Sequence, residues 1–224
     1  MATHKFAPLL GKRIRVTQME DDGTVGEHYI VTDGFITVTL SAEVEDGTEI
    51  IQRNAFGVLC INERMNPSFK RLNVEVEFCG VNPSLLSYVS NAKEYEDYAG
   101  DVAGFTIPEG EIVGSFALEL WTGLSGALND PNSNGYLLLP FVGKGNLGDI
   151  TIDGENAITF TLTGASTRGG NAWGVGPYDV VYNNDSPGVP SPLPTPLDPF
   201  DHFLLMDTAV AVPVVNEQPT VVPA

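Results

Sequence analysis

Asp33–Ile51, DGFITVTLSAEVEDGTEII, decides the fold class. Ile36, Val38, Leu40, Ala42 and Val44 alternate with Thr37, Thr39, Ser41, Glu43 and Glu45. Side chains on a strand point to opposite faces with a period of two, so this segment is a strand with one apolar and one polar face. Asp46-Gly47 is a turn dipeptide and predicts a reversal into a second strand through Ile50 and Ile51.

The same alternation recurs along the chain. In LNVEVEFCG (72–80), Leu72, Val74, Val76 and Phe78 face inward, while Asn73, Glu75 and Glu77 face outward. GSFALELWTG (114–123) puts Phe116, Leu118 and Leu120 on one side. GYLLLPFVG (135–143) reads as a buried strand in which Pro140 marks an edge or a bulge, because proline has no N–H for a sheet ladder. DITIDGENAITFTLTG (149–164) is a hairpin turning at Asp153-Gly154, with Ile158, Phe160 and Leu162 inward. Strands at this spacing, joined by glycine turns, predict an all-β chain with two packed sheets forming a sandwich or barrel. One flanking helix interrupts them. Asn82 suits its N-cap, Pro83 its first position, and Leu85, Leu86, Tyr88 and Val89 its apolar stripe, which ends before Gly100.

Composition changes after Tyr182. Residues 183–224 hold nine of the sixteen prolines, which predicts a β domain over 1–182 and a proline-rich C-terminal extension over 183–224. DSPGVPSPLPTPLDPF (185–200) reads as an extended strap. The apolar HFLLMDTAVAVPVV (202–215) that follows, with Phe203, Leu204 and Leu205, is a strand able to reach a neighbour's sheet; the alternative is a disordered tail.

Charge is lopsided. Residues 1–100 carry 15 acids and nine bases; residues 101–224 carry 14 acids and two bases, Lys144 and Arg168; the whole chain has net charge −18. Such a field repels nucleic acid and anionic lipid. No stretch approaches the roughly 20 apolar residues of a membrane span, and the N-terminus lacks a continuous apolar run of the signal-peptide kind, so residence in a reducing cytoplasm is expected. The two cysteines, Cys60 and Cys79, belong to no metal-binding spacing and are expected as buried thiols.

Motifs for chemistry are absent or incomplete. After the strand ending near Gly164, the glycine-rich loop STRGGNAWGVGPYDV lacks the third glycine of a dinucleotide fingerprint, and Pro177 blocks the helix such a loop requires. Asp130–Gly135, DPNSNG, matches the first half of a calcium loop, but the twelfth position is Phe141 instead of a bidentate Glu. Glu43/Glu45 and Glu75/Glu77 share strand faces at a separation of about 7 Å, which glycosidases also use, yet the same spacing describes a solvated outer face. No nucleophile elbow or zinc-protease motif occurs, and neither an enzyme nor a cofactor is expected. A carbohydrate- or receptor-binding sandwich is the alternative function, resting on Trp121 near Asn129 and Asp130.

Five segments taken in order, DGFITVTLSAEVEDGTEII, LNVEVEFCGVNPSLLSYV, GSFALELWTG, GYLLLPFVGKGNLGDITI and TFTLTGASTRGGNAWGVGPYDV, resemble the major tail tube proteins of long-tailed bacteriophages, particularly those infecting actinobacteria. The resemblance spans about residues 30–182. It implies a tail tube fold and homo-oligomeric rings, generally sixfold or pseudo-sixfold, stacked around a tape-measure protein. It also implies contacts with tail terminator and distal tail proteins, assembly in the host cytoplasm, and passage of DNA through the bore without specific binding. Glu43, Glu45, Glu75 and Glu77 are then candidates for an acidic lining; Asp46, Gly47 and Glu49 for a ring-stacking hairpin; and Trp173, Arg168, Phe203, Leu204 and Leu205 for interfaces between copies, core packing being the alternative for Trp173 as for Trp121.

Overall fold

A computed structural model describes residues 8–80, 82–111, 114–124, 133–152, 158–166, 170–182 and 188–223. The strands, in chain order, are β1 (Pro8–Met19), β2 (Val25–Thr32), β3 (Phe35–Glu45), β4 (Glu49–Arg53), β5 (Leu59–Arg64) and β6 (Ser68–Phe78). The helix α1 (Pro83–Val89) separates these from β7 (Lys93–Glu96), β8 (Val102–Thr106), β9 (Gly114–Leu124), β10 (Asn134–Thr151) and β11 (Thr159–Ser166). A helical turn, α2 (Gly170–Trp173), precedes β12 (Val181–Tyr182), β13 (Pro190–Ser191), β14 (Leu204–Thr208) and β15 (Asn216–Val221). Among the described residues no helix is long and apolar enough to cross a membrane.

Nine strands form one antiparallel sheet in the order β15-β2-β1-β9-β10-β11-β6-β3, with β14 also paired to β10. The alternation read from the sequence is the reason for this layout. In β9, Phe116, Leu118 and Leu120 join one core cluster, while Ala117 and Trp121 join a second on the opposite face. The first cluster draws Ile14, Val16 and Ile30 from one end of the strand order and Val74, Val76 and Phe78 from the other. The sheet therefore rolls around this cluster, and the Phe35 ring at its far edge sits where a side chain on Gly11 of β1 would have to go. The two layers expected as separate sheets are two ends of one continuous sheet, and no closed barrel forms among the described residues.

Helix α1 plugs one side of the roll. The Asn82 side chain accepts a hydrogen bond from Ser84 N, as an N-cap does, and Leu85, Leu86 and Val89 are buried in the first cluster. Full burial of such side chains contributes about 1.5–3 kcal/mol each. The helix comes down on Gly114 and Gly145, which face each other across β9 and β10. A Cβ on Gly145 would lie 1.7 Å from the Val89 carbonyl oxygen, so only glycine admits this contact.

Strand β10 changes partner along its length. Asn134–Leu138 pair with β14, and Val142–Thr151 pair with β11, while β9 runs along the other side. Pro140 sits at the changeover. One extra β10 residue is accommodated there between the pairs Leu139↔Leu118 and Val142↔Phe116, so Phe141 joins the second cluster and Val142 the first. The bulge expected from Pro140 is present. The hairpin of β10 and β11 is present too, although its turn at Asp153-Gly154 lies outside the described residues.

Two expectations are corrected and one is made specific. First, the chain does not reverse at Asp46-Gly47. It runs on through β4, turns at Asn54–Gly57, and returns through β5 to pair β6 with β3. The Asn54 side chain caps Phe56 N and Val58 N, and Gly57 takes φ 77°. Gly47 instead lets the neck close, since a Cβ there would meet the Met65 carbonyl at 1.7 Å. Second, the proline-rich extension pairs with its own chain: β14 joins β10, β15 joins β2, and Leu193 enters the second cluster beside Trp121 and Tyr136. Third, both cysteines are exposed free thiols, because Cys60 lies on the projecting β5 and Cys79 just beyond the buried end of β6.

Candidate functional site

The polar side of β3, β6 and β11 is a surface built by register. Thr37, Glu77 and Thr161 stand opposite one another across the three strands, and Thr39, Glu75 and Thr163 form the next row. Glu75 is exposed and Glu77 half-buried. Their apolar neighbours Val74, Val76 and Phe78 are buried underneath, so packing fixes the orientation of the acids. Lys144, an exposed β10 residue with φ 58°, borders the same face beside Glu75 and Thr163.

Glu43 belongs to this side by register but not by charge. It stands opposite Arg71, and β6 carries an extra residue there before Phe69 pairs with Val44. Through this irregularity Lys70 and Arg71 both reach Glu43: Lys70 Nζ lies 3.2 Å from Oε1 and Arg71 Nε 2.6 Å from Oε2. Hydrogen bonds from Arg71 and then Lys70 hold the Glu43 carboxyl down at about 2. As a source of unmatched negative charge for a lining, Glu43 is withdrawn. Glu45 lies beyond the irregularity, exposed and opposite Ser68.

The second feature is the arm formed by β4 and β5, a two-stranded sheet exposed along its whole length. Phe56 at its tip is 91% exposed, and Ile50, Ile51, Val58, Leu59 and Ile61 are also exposed. Asp46 and Gly47 lie in its neck, and Glu49 stands opposite Arg64 at its base. A hairpin this apolar and this naked is not held by its own chain's core.

Behind the sheet lies a feature that the sequence did not reveal. Arg15 on β1 and Glu119 on β9 are direct cross-strand partners on the face of the second cluster, and both are buried. Arg15 Nη2 donates to Glu119 Oε1 at 2.6 Å, and its Nε donates to Oε2. Tyr136 Oη donates to Glu119 Oε1 at 2.7 Å. The guanidinium carbon lies 3.3 Å from the centre of the Tyr178 ring and 4.9 Å from that of Trp121. Tyr178 Oη shares a 2.8 Å hydrogen bond with Thr17 Oγ1. Burial opposes the charge of Arg15, but Glu119 outweighs it and raises the guanidinium pKa. Burial and then Glu119 raise both the Tyr136 and the Tyr178 phenols. This fork of paired, hydrogen-bonded charges fastens the segment carrying Tyr178 onto the sheet.

The remaining sequence candidates divide as follows. Trp173, a candidate for either an interface or the core, is 4% exposed, its ring centre 6.1 Å from that of Tyr178, and belongs to the second cluster. Trp121 is buried under Arg15 and offers no platform for a sugar ring. Phe203 and Leu205 are exposed and Leu204 half-buried, on and beside β14. Arg168, Asn129 and Asp130 lie outside the described residues, as does the first part of DPNSNG; Asn134 within that motif accepts from Lys12 Nζ at 2.7 Å and donates to the Val210 carbonyl. Among the described residues no group of His, Cys, Asp and Glu is placed to hold a metal ion. Neither a protein-family model nor a curated protein matches the chain.

Proposed function

We propose that this chain is the structural subunit of a phage tail tube, polymerising as stacked rings around a tape-measure protein to form an acidic conduit for DNA. The observation that carries the reading is a pair of unlike surfaces joined through β3 and β6: an ordered Thr/Glu face over β3, β6 and β11, and, where β3 and β6 end, a separate two-stranded arm of exposed apolar residues. The first suits a bore, because carboxylates repel phosphates and leave no well in which DNA would stick. The second suits contact between copies, because exposed apolar area of this kind is covered in assemblies. The resemblance of the ordered segments over about residues 30–182 to tail tube proteins supports the same reading.

Tail tube architecture, ring symmetry, the tape-measure partner and the virion location belong to this proposal. Negative-stain microscopy of the purified protein, alone and co-expressed with its tape measure, tests it. Rings or hollow tubes are expected. Particles that remain globular under both conditions and bind on a glycan array would replace this reading with a carbohydrate-binding module.

A further inference from the structure

Among the described residues three two-stranded sheets stand outside the nine-stranded sheet, and two of them, the β4–β5 arm and the β7–β8 hairpin, have opposite electrical character. The arm (β4 and β5) carries Arg53 and Arg64 among its exposed apolar residues, against Glu49 and Glu63. In a chain of net charge −18, it is a projecting surface without excess negative charge. The hairpin of β7 and β8 is the reverse. Residues 93–111 hold six acids (Glu94, Glu96, Asp97, Asp101, Glu109 and Glu111) and one base, Lys93. Tyr95, Tyr98, Val102 and Ile107 are exposed along the same segment, with Tyr98 fully so. Its turn is ordered by Asp97, whose side chain accepts from Ala99 N and Asp101 N.

We propose that the β4–β5 arm of one copy docks on the β7–β8 hairpin of a second copy. A two-stranded hairpin exposed on both faces, as the arm is, is marginal alone and gains most from a partner; the β7–β8 hairpin rests Phe105 on the first cluster and leaves all of β7 exposed to receive it. Two copies at −18 repel each other, and contact is least opposed where one of them presents no net negative charge. Arg53 and Arg64 then meet Glu94 and Glu96, while Phe56 at the tip and Ile51 and Leu59 on the arginines' face of the arm meet Tyr98 at the turn and Val102, which stands opposite Glu96. That is the arrangement of an apolar core with a charged rim. The two surfaces are different, so the contact is heterologous and repeats from copy to copy without a twofold axis. The inference rests on the assembly reading in requiring that copies associate, and it adds which surface receives the arm.

The test is charge exchange, read by sedimentation velocity of the full chain over a range of protein and salt concentrations. Arg53→Glu with Arg64→Glu is expected to raise the concentration needed for association about tenfold or more, and Glu94→Lys with Glu96→Lys to do the same. Mixing the two variants pairs each reversed surface with its complement, and association returns to within about threefold of the native chain. Association of the native chain weakens as salt rises. Phe56→Ser, at a solvent-exposed tip, blocks association while leaving the circular dichroism and melting temperature unchanged. Native protein that stays monomeric throughout, reversals without effect, or a mixture that fails to recover overturns the proposal. Microscopy of the same samples separates it from the tube reading. Tubes that persist in both reversed variants sink this contact and leave the tube; native oligomers without a bore that still show the exchange rescue sink the tube and leave this contact.

Discussion

At the residue scale, Arg15 and Glu119 show how much one covered face can change the meaning of a pair of charges. Each is buried and each satisfies the other, so the loss of one leaves the other unpaired away from water. Arg15→Met alone is expected to destabilise the protein by about 3–5 kcal/mol in urea unfolding, whereas Arg15→Met combined with Glu119→Leu costs clearly less. Equal losses in the single and double variants would mean that the pair is not coupled. Glu43 gives a pH signature of the opposite, exposed kind. Its folded pKa is depressed to about 2, below the value of 4.5 for an unperturbed carboxyl, so its pairing stabilises the fold above that ordinary value. The contribution is lost as pH falls from about 4.5 through about 2. Arg71→Gln should return the Glu43 carboxyl toward its ordinary range in an NMR titration; an unchanged titration would show that Lys70 alone holds it down. Glu119 was not legible in GSFALELWTG because strand alternation puts it on the side opposite Phe116, Leu118 and Leu120, the side a reader gives to water. Only residues some sixty positions later, Trp173 and Tyr178, make that side a second interior. Trp173 stayed open between core and interface for the same reason: a tryptophan among glycines suits either until the face it covers is known.

At the element scale, strand periodicity and helix capping were readable, and pairing was less so. The strands at 35–45, 72–78, 114–123 and 159–164 and the helix after Asn82 all announce themselves through local spacing. Which strand meets which depends on turns, and Asp46-Gly47 misleads because the pair is compatible both with a hairpin and with a crowded neck. The helix seat makes a sharp prediction. Gly145→Ala forces Val89 and α1 away from β10 and is expected to lower stability by about 3 kcal/mol or more. Asn82→Ala removes one cap and costs about 1 kcal/mol. If the Gly145 variant melts no lower than the Asn82 variant, the seat is not as tight as the backbone geometry requires. Replacing the arm beyond its neck with a short turn should leave the melting temperature within a few degrees of native, because the arm's strands are exposed along their whole length and contribute nothing to either core cluster.

At the scale of the whole molecule, the proposed bore and the C-terminal wrap carry separate expectations. Glu75→Lys with Glu77→Lys changes the charge of the polar face without touching the buried Val74, Val76 and Phe78. Virions carrying this variant should assemble and eject DNA more slowly; unchanged ejection would remove this face from the bore. Truncation after Tyr182 is a different experiment from the one the proline content suggests. The segment supplies Leu193 to the second cluster and strands to both β10 and β2, so its loss should uncover Tyr136 and Trp121 and give a chain that binds hydrophobic dyes and unfolds at lower denaturant. Composition conveyed that the segment is extended and stiff, but not whose sheet it would join.

The fork in β10 also sets a clock. Its lower half finds β9 and β11 within a short stretch of sequence, but its upper half waits beside an open notch for residues near 204–208, and β2 waits longer still for β15. During translation the first cluster can therefore close while the second remains unfinished, and Tyr178 has no completed wall to press against Arg15 until the distal residues arrive. The second interior is thus completed only by residues that leave the ribosome last, whereas the first needs nothing beyond Leu162.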